Sequence, residues 1–171
     1  MRWGSSKAFT QVELVIMVVL IAIMAVAAIP FFVDVGAARV DSAFRKMVSD
    51  ISYARQLARN RSGIYGVEFD TAAETYTVFL YDPATALKTT VTDPATRSPM
   101  VIDFNTIPGL AGVDIQNPAF GGTNEIRFTS KGVPQNANGV DLAAAGTVVL
   151  TEGYDSRTVA VQPETGEVTG L

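Results

Sequence analysis

The sequence predicts an α+β chain: a long N-terminal helix, first membrane-spanning and then amphipathic, packed on an antiparallel β-sheet or β-sandwich-like head. Three observations carry that expectation. Residues 14–33 run for twenty positions without a charge. Residues 40–58 place apolar side chains at steps of three and four, the 3.6-residue period of a helix with one buried face. From residue 64 onward, short alternating apolar segments are divided by Gly, Pro, Asn and Asp, the pattern of strands joined by turns.

The apolar run comes first. At about 1.5 Å rise per residue, its length as a helix matches a hydrocarbon layer of about 30 Å. Residues 1–8 carry Arg2 and Lys7 and no acid, so the positive-inside rule keeps the N-terminus in the cytoplasm and sends the rest across the membrane. Glu13 stands at the entrance to the run. A lone carboxylate there costs on the order of 3 kcal/mol on insertion scales, so it needs a partner. A secretory signal peptide cut after Ala27 is an alternative, but its apolar region would be only about 7 to 15 residues long. An uncleaved anchor is another, and it supplies no reason for the acid.

Beyond the membrane run, Val40, Phe44, Met47, Ile51, Ala54 and Ala58, with Leu57 beside them, form one stripe. Asp41, Arg45, Lys46, Asp50, Arg55 and Arg59 are assigned to the other faces. Unbroken from Phe9 to Asn60, the helix would measure roughly 75 Å, more than a small domain needs. Pro30 removes a backbone donor and crowds the carbonyl four residues earlier, and Gly36 weakens the next turn, so a kink is expected there. Gly63 is expected to stop the helix after the basic Arg59 and Arg61.

The head follows as strands. Residues 64–69 and 76–81 read as a hairpin, and 100–104, 125–129, 147–151, 157–162 and 167–169 as further strands. Residues 131–134 and 163–166 read as turns. Residues 82–99 and 108–122, rich in Pro and Gly, read as irregular. With 171 residues the chain has room for one head core.

Composition narrows the chemistry. The chain has no cysteine and no histidine, which removes disulfides, thiolate nucleophiles, zinc–thiolate sites and the commonest general base. No nucleophile elbow, phosphate-cradling loop or clustered carboxylate pair is present, so no catalytic residue, metal ligand or cofactor is assigned. A membrane-tethered enzyme is the alternative of a different class. Calcium ligands from Asp70 with Glu74, or Asp93 and Asp103, lack the spacing of a calcium loop.

The segment Ala8-Phe9-Thr10-Gln11-Val12-Glu13, the apolar run and Ala28-Ile29-Pro30 resemble the class III signal of type IV pilins and type II secretion pseudopilins. The chain departs from that pattern at Ala8, where Gly is usual, and at Gln11-Val12. Residues 50–60, Gly66 to Asp70, Tyr76, Ile126-Arg127-Phe128, Gly132, residues 159–161, Pro163 and Thr165-Gly166 are similar to the GspH/FimT group of minor pseudopilins and minor pilins. The resemblance implies a pilin-like fold with residues 1–8 as a leader, 9–62 as the long helix (membrane segment 14–33, amphipathic half 34–62) and 63–171 as a periplasmic head. It implies cleavage between Ala8 and Phe9 by a prepilin peptidase, N-methylation of Phe9, and an assembly register set by Glu13 meeting the freed Phe9 amine. Pro30 and Gly36 would mark a bending region. The implied partners are that peptidase, other major and minor pilins or pseudopilins, an inner-membrane assembly platform and membrane lipid.

Charge is divided along the chain. Residues 39–61 hold six bases and two acids, whereas residues 62–171 hold five bases and thirteen acids. Arg39, Arg45, Lys46, Arg55 and Arg59 are therefore the expected basic face, set against the acidic head of a neighbour or against anionic lipid. An acidic head is a poor match for DNA, so nucleic acid is not an expected partner. An anchored β-domain that binds a ligand or DNA at a pilus tip is the alternative.

Overall fold

The computed structural model describes the backbone of residues 10–170, and the side chains of residues 10–25 and 36–170. The chain divides into two units, Met1–Val35 and Gly36–Leu171.

Helix α1, Gln11–Arg61, contributes to both units and is helical through Pro30 and Gly36. In the first unit Thr10 caps it: the Glu13 N–H donates to Thr10 Oγ1 at 3.2 Å, and the Leu14 N–H to the Thr10 carbonyl at 3.2 Å. Thr10 and Glu13 thus stand as N-cap and N3 of a Thr-x-x-Glu pattern, which the sequence reading had not used.

In the second unit the helix buries Val40, Ala43, Met47, Ile51, Ala54, Leu57 and Ala58. The expected stripe is present, with Ala43 fully buried and Phe44 at its margin. Asp50 departs from the expectation. It lies on the buried face, 5% exposed, because the Tyr76 hydroxyl donates to it at 2.7 Å and Lys46 at 2.5 Å. The helix stops one residue before the expected glycine: Ser62 takes φ +50°, and the Gly63 N–H donates to the Ala58 carbonyl at 3.3 Å, closing a Schellman turn.

The head has two antiparallel sheets rather than one. β1 (Ile64–Asp70), β2 (Thr75–Asp82), β3 (Leu87–Thr90), β4 (Val101–Asp103), β6 (Glu125–Phe128) and β7 (Pro134–Asn136) form the first, in the order β3-β2-β1-β6-β7, with β4 also on β2. β5 (Asp114–Ala119), β8 (Gly146–Glu152), β9 (Asp155–Val161) and β10 (Val168–Gly170) form the second, in the order β10-β9-β8-β5. β3, β5 and β7 were not expected. β3 is exposed at all four positions, and β5 carries Pro118 and a register shift between Gln116 and Ala119. Both lie at sheet edges, where neither alternation nor a complete hydrogen-bond ladder is required.

One core joins helix and sheets. Tyr65, Val67 and Phe69 of β1, Tyr76 and Val78 of β2, Ile126 and Phe128 of β6, and Val148, Leu150, Val159 and Val161 of the second sheet share it with the helix stripe. Aromatic rings link its parts: Phe69 stacks on Phe120 at 5.4 Å, and Tyr76 meets Phe104 edge-on at 5.8 Å. Gly66 is required by close packing, since a Cβ there would lie 2.5 Å from the Ile126 carbonyl oxygen and 2.7 Å from Phe79.

Candidate interaction surfaces

The first unit presents an apolar surface. From Val12 to Met24, eleven large apolar side chains are each at least half exposed. Isolated exposed apolar residues are ordinary, but a contiguous run on a helix calls for a lipid or protein environment. Among the described residues no helix is long and apolar enough to cross a membrane; the side chains of residues 26–33, the remainder of the expected span, lie outside them. Ala8 and Phe9 also lie outside the described residues, as does the side chain of Pro30. Gly36 belongs to the second unit, where a Cβ would come within 3.4 Å of Asp155 Oδ2.

The five bases expected to form one outward face divide into two sets. Arg39 donates to Glu152 Oε1 at 2.8 Å, Arg45 to Asp41 Oδ2 at 2.9 Å and Lys46 to Asp50 Oδ2. These three are neutralised within the chain. The Lys46–Asp50 pair is the most enclosed, and burial, followed by the Asp50 charge, pushes the Tyr76 phenol well above its ordinary value of 10.0. Arg55 and Arg59, in contrast, have no carboxylate within 4.0 Å among the described residues. With Ser52, Gln56 and Asn60 they line a groove of about 530 Å³ that contains no acid.

The lining of that groove lies entirely on α1, and two turns of the head approach its arginines. Gly132 (φ +81°) ends the turn after β6, and Gly166 (φ +68°) ends the turn after β9. A Cβ on Gly132 would lie 2.9 Å from Arg59 Cδ, and one on Gly166 would lie 3.2 Å from Arg55 Nε. The glycines let both arginine stems lie flat against the head. Arg55 Nε is enclosed there without a hydrogen-bond partner. The sequence held the ingredients, two arginines four apart and two turn glycines, but the pairing partners of the other bases decide which arginines are left.

Of the carboxylates with calcium-ligand chemistry, Asp93 and Asp103 lie in separate turns. Asp93 receives the Ala95 N–H in its own turn, whereas Asp103 receives the Asn105 N–H. Asp70 and Glu74 do come together at the β1–β2 turn: Asp70 caps it through the Ala72 and Ala73 N–H groups, and Glu74 accepts the Ile115 N–H. Burial, then the charges of Asp114 and Asp70, outweigh that N–H and hold the Glu74 carboxyl above its ordinary value of 4.5. No group of three or more potential metal ligands occurs among the described residues.

A further charged cluster was not foreseen. On the outer face of the first sheet, Lys88 bridges Glu125 at 2.5 Å and Glu68 at 2.9 Å, while Glu125 also pairs with Arg127. The Arg127 guanidinium covers the Tyr81 ring at 3.7 Å. Its charges balance internally, so it closes one face of the sheet.

No curated protein matches the chain by sequence. Two solved structures of the minor pseudopilin EpsH from the type II secretion system of Vibrio cholerae are similar in fold. One has a TM-score of 0.58 and 12% identity, covering 79% of this chain and 94% of that one. The other has a TM-score of 0.55 and 12% identity, covering 78% and 96%. The type IV minor pilin FimU of Pseudomonas aeruginosa is also matched, at TM-score 0.48 and 12% identity over 76% of this chain and 86% of that one. The family described as type II transport protein GspH matches residues 43–166. That stretch holds the buried half of α1 from Ala43 on, strands β1 to β9 and the two turns beside Arg55 and Arg59, so the chain belongs to the GspH family.

Proposed function

We propose that this chain is a minor pilin or pseudopilin whose work is assembly, near the tip of a type II secretion pseudopilus or a type IV pilus. Residues 1–8 are a leader removed between Ala8 and Phe9 by a prepilin peptidase, which also N-methylates Phe9. Residues 14–33 lie in the inner membrane, with the N-terminus cytoplasmic and the head periplasmic, until the assembly platform moves the subunit into the filament among other pilins. Glu13 meets the Phe9 amine of the same or a neighbouring subunit and fixes the register. Pro30 and Gly36 form the bending region.

The observation that supports this reading best is the contrast within α1. Its second half builds the head core, while its first presents exposed apolar side chains from Val12 to Met24. Because apolar helices gain little from one another in lipid, close packing at Ala22 and Ala25 and the Glu13 contact would carry the association. The role is structural, without a chemical step.

Intact mass of the chain expressed with and without a prepilin peptidase tests the reading. Loss of residues 1–8 with gain of one methyl group, abolished in Ala8→Arg, is expected. A mass indifferent to the peptidase would withdraw both the processing and the role given to Glu13.

A further inference from the structure

We propose that the tip of the β8–β9 hairpin, led by Tyr154, rests in the interfacial layer of the bilayer, so that the head docks on the membrane surface beside the segment that crosses it. This rests on the reading of residues 14–33 as a membrane segment. Tyr154 is fully exposed, at 108%, whereas the other four tyrosines, Tyr53, Tyr65, Tyr76 and Tyr81, are buried or partly buried. The turn fixes its position. Glu152 pairs with Asp155, leaving Gly153 and Tyr154 as a two-residue loop. Of those two only Gly153 takes a positive φ, +61°, as the first corner of a type II′ turn does.

The hairpin is held against the start of the head's share of α1. Glu152 Oε1 accepts from Arg39 at 2.8 Å, Asp155 Oδ2 would lie 3.4 Å from a Cβ built on Gly36, and Arg157 of β9 comes within 4.0 Å of Asp41. Gly36 follows Val33, the end of the apolar run, by three positions. Whatever angle the two units take, the chain therefore allows no more than about 11 Å between those two residues. A hydrocarbon core of about 30 Å widens to about 40–45 Å with its headgroup layers, which leaves roughly 5–8 Å of interface on each side. A tyrosine near that layer has a ring for the acyl boundary and a hydroxyl for the headgroups, which is why the residue is enriched there.

Single exposed aromatics are ordinary. This one differs in its place: a tight turn and an ion pair to α1 hold it at the end of the head that the covalent chain ties to the membrane segment. Charge does not supply the attraction. Around the tip Arg39, Arg45 and Arg157 are set against Asp41, Glu152 and Asp155, and Asp34 stands just before them in the chain. Cations do not exceed acids, so anionic lipid gains no hold, and the contact is that of an aromatic ring with any bilayer interface. One ring binds weakly, but the tether keeps it at high effective concentration beside the surface. The head is thereby oriented on the membrane and still free to leave it for a filament.

The absence of cysteine allows single labelling of the full-length protein in phosphatidylcholine vesicles. A bimane fluorophore is placed at Ser156→Cys, an exposed position beside the tip, and quenched by lipid that carries a nitroxide on its headgroup. Leu87→Cys is the control. Leu87 pairs with Asp82, next to the Tyr81 that faces Ile64, and so lies by the far end of α1, about 38 Å along the helix from Gly36. Headgroup quenching at S156C should exceed that at L87C roughly threefold, fall to the L87C level with Tyr154→Ser, and return with Tyr154→Trp, an aromatic of the same interfacial preference. Circular dichroism checks that each variant is folded. Quenching at S156C no greater than at L87C, or unmoved by Y154S, would overturn the contact. So would quenching that requires anionic lipid, or that arises only at high protein-to-lipid ratio, which would assign Tyr154 to a neighbouring copy. Bimane at Val18→Cys, quenched by a nitroxide on the acyl chain, reports the membrane segment by itself. Quenching there without a Tyr154-dependent signal at S156C removes the contact and leaves the membrane reading standing; no quenching there removes both.

Discussion

The two described stretches of α1 differ in apolar content and use it in opposite ways: residues 10–25 are apolar at 13 of 16 positions, residues 36–61 at 12 of 26. In residues 36–61 the apolar side chains are buried in the head core; in residues 10–25 they are exposed. The same local structure therefore serves two environments. Period decides between them: Val40, Met47, Ile51, Ala54 and Ala58 occupy one face and leave charge on the others, whereas residues 14–25 are apolar on every face. A face can be satisfied by one sheet, but an all-round apolar surface requires lipid or several helices.

The sharpest way to break the comparison is to truncate one residue in each stretch. Ile51 is fully buried, and Ile51→Ala should destabilise the head by about 3 kcal/mol through lost transfer energy and a cavity. Val18 is 57% exposed, and Val18→Ala should leave head stability within about 0.5 kcal/mol. Denaturant unfolding followed by circular dichroism compares them. Equal losses would mean that the head relies on the first stretch.

Next in size is Asp50, the charge that the buried face retains. Asp50→Ala removes the acceptor of the Tyr76 hydroxyl and the partner of Lys46, for an expected cost of about 3 kcal/mol, at the lower end for a broken buried pair. Asp50→Asn keeps an acceptor for Tyr76 and should lose less. An alanine variant as stable as the asparagine variant would show that the hydroxyl contact contributes little.

Asp50 also shows what was legible in the sequence and what was not. The stripe of α1 and the β1–β2 hairpin follow from local periodicity, and they appear in the structure within a residue or two. Asp50 lies one position from the stripe; only the tertiary placement of Tyr76, 26 residues later, turns it inward. β3 owes its pairing to β2, on which Leu87 meets Asp82 and Thr90 meets Phe79, and its own exposed residues carry no alternation. The basic face was legible as composition, but its division into neutralised and unmatched members depends on Glu152, 113 residues from Arg39, and on the turns at Gly132 and Gly166. Local signals survive in a single sequence, whereas partner choice across the fold does not.

At the start of α1 the comparison can be sharpened with a smaller change. Thr10→Ala removes the side-chain acceptor of the Glu13 N–H and should cost about 1 kcal/mol of local helix stability. Amide exchange at residues 11–14 should speed up while exchange in β1 stays constant. Faster exchange in β1 would show that the two stretches share one cooperative unit. An unchanged rate at Glu13 would leave the carboxylate, rather than Thr10, as what holds the first turn.

The smallest expected effect lies in the head itself, where unmatched charge is the counterpart of unmatched apolar surface in the first stretch. The Glu74 carboxyl is held above 4.5, first by burial and then by Asp114 and Asp70. A carboxyl with a raised folded value favours the protonated form in the fold. Its contribution is therefore complete below about pH 4.5 and declines as pH rises through the folded value. Glu74→Gln keeps an oxygen for the Ile115 N–H and removes the charge. At pH 7 it should raise head stability by only a few tenths of a kcal/mol, since the group is only partly buried and solvent screens its charge. At pH 4 the gain should vanish. A gain at pH 4 as large as at pH 7 would locate the strain in packing rather than in charge.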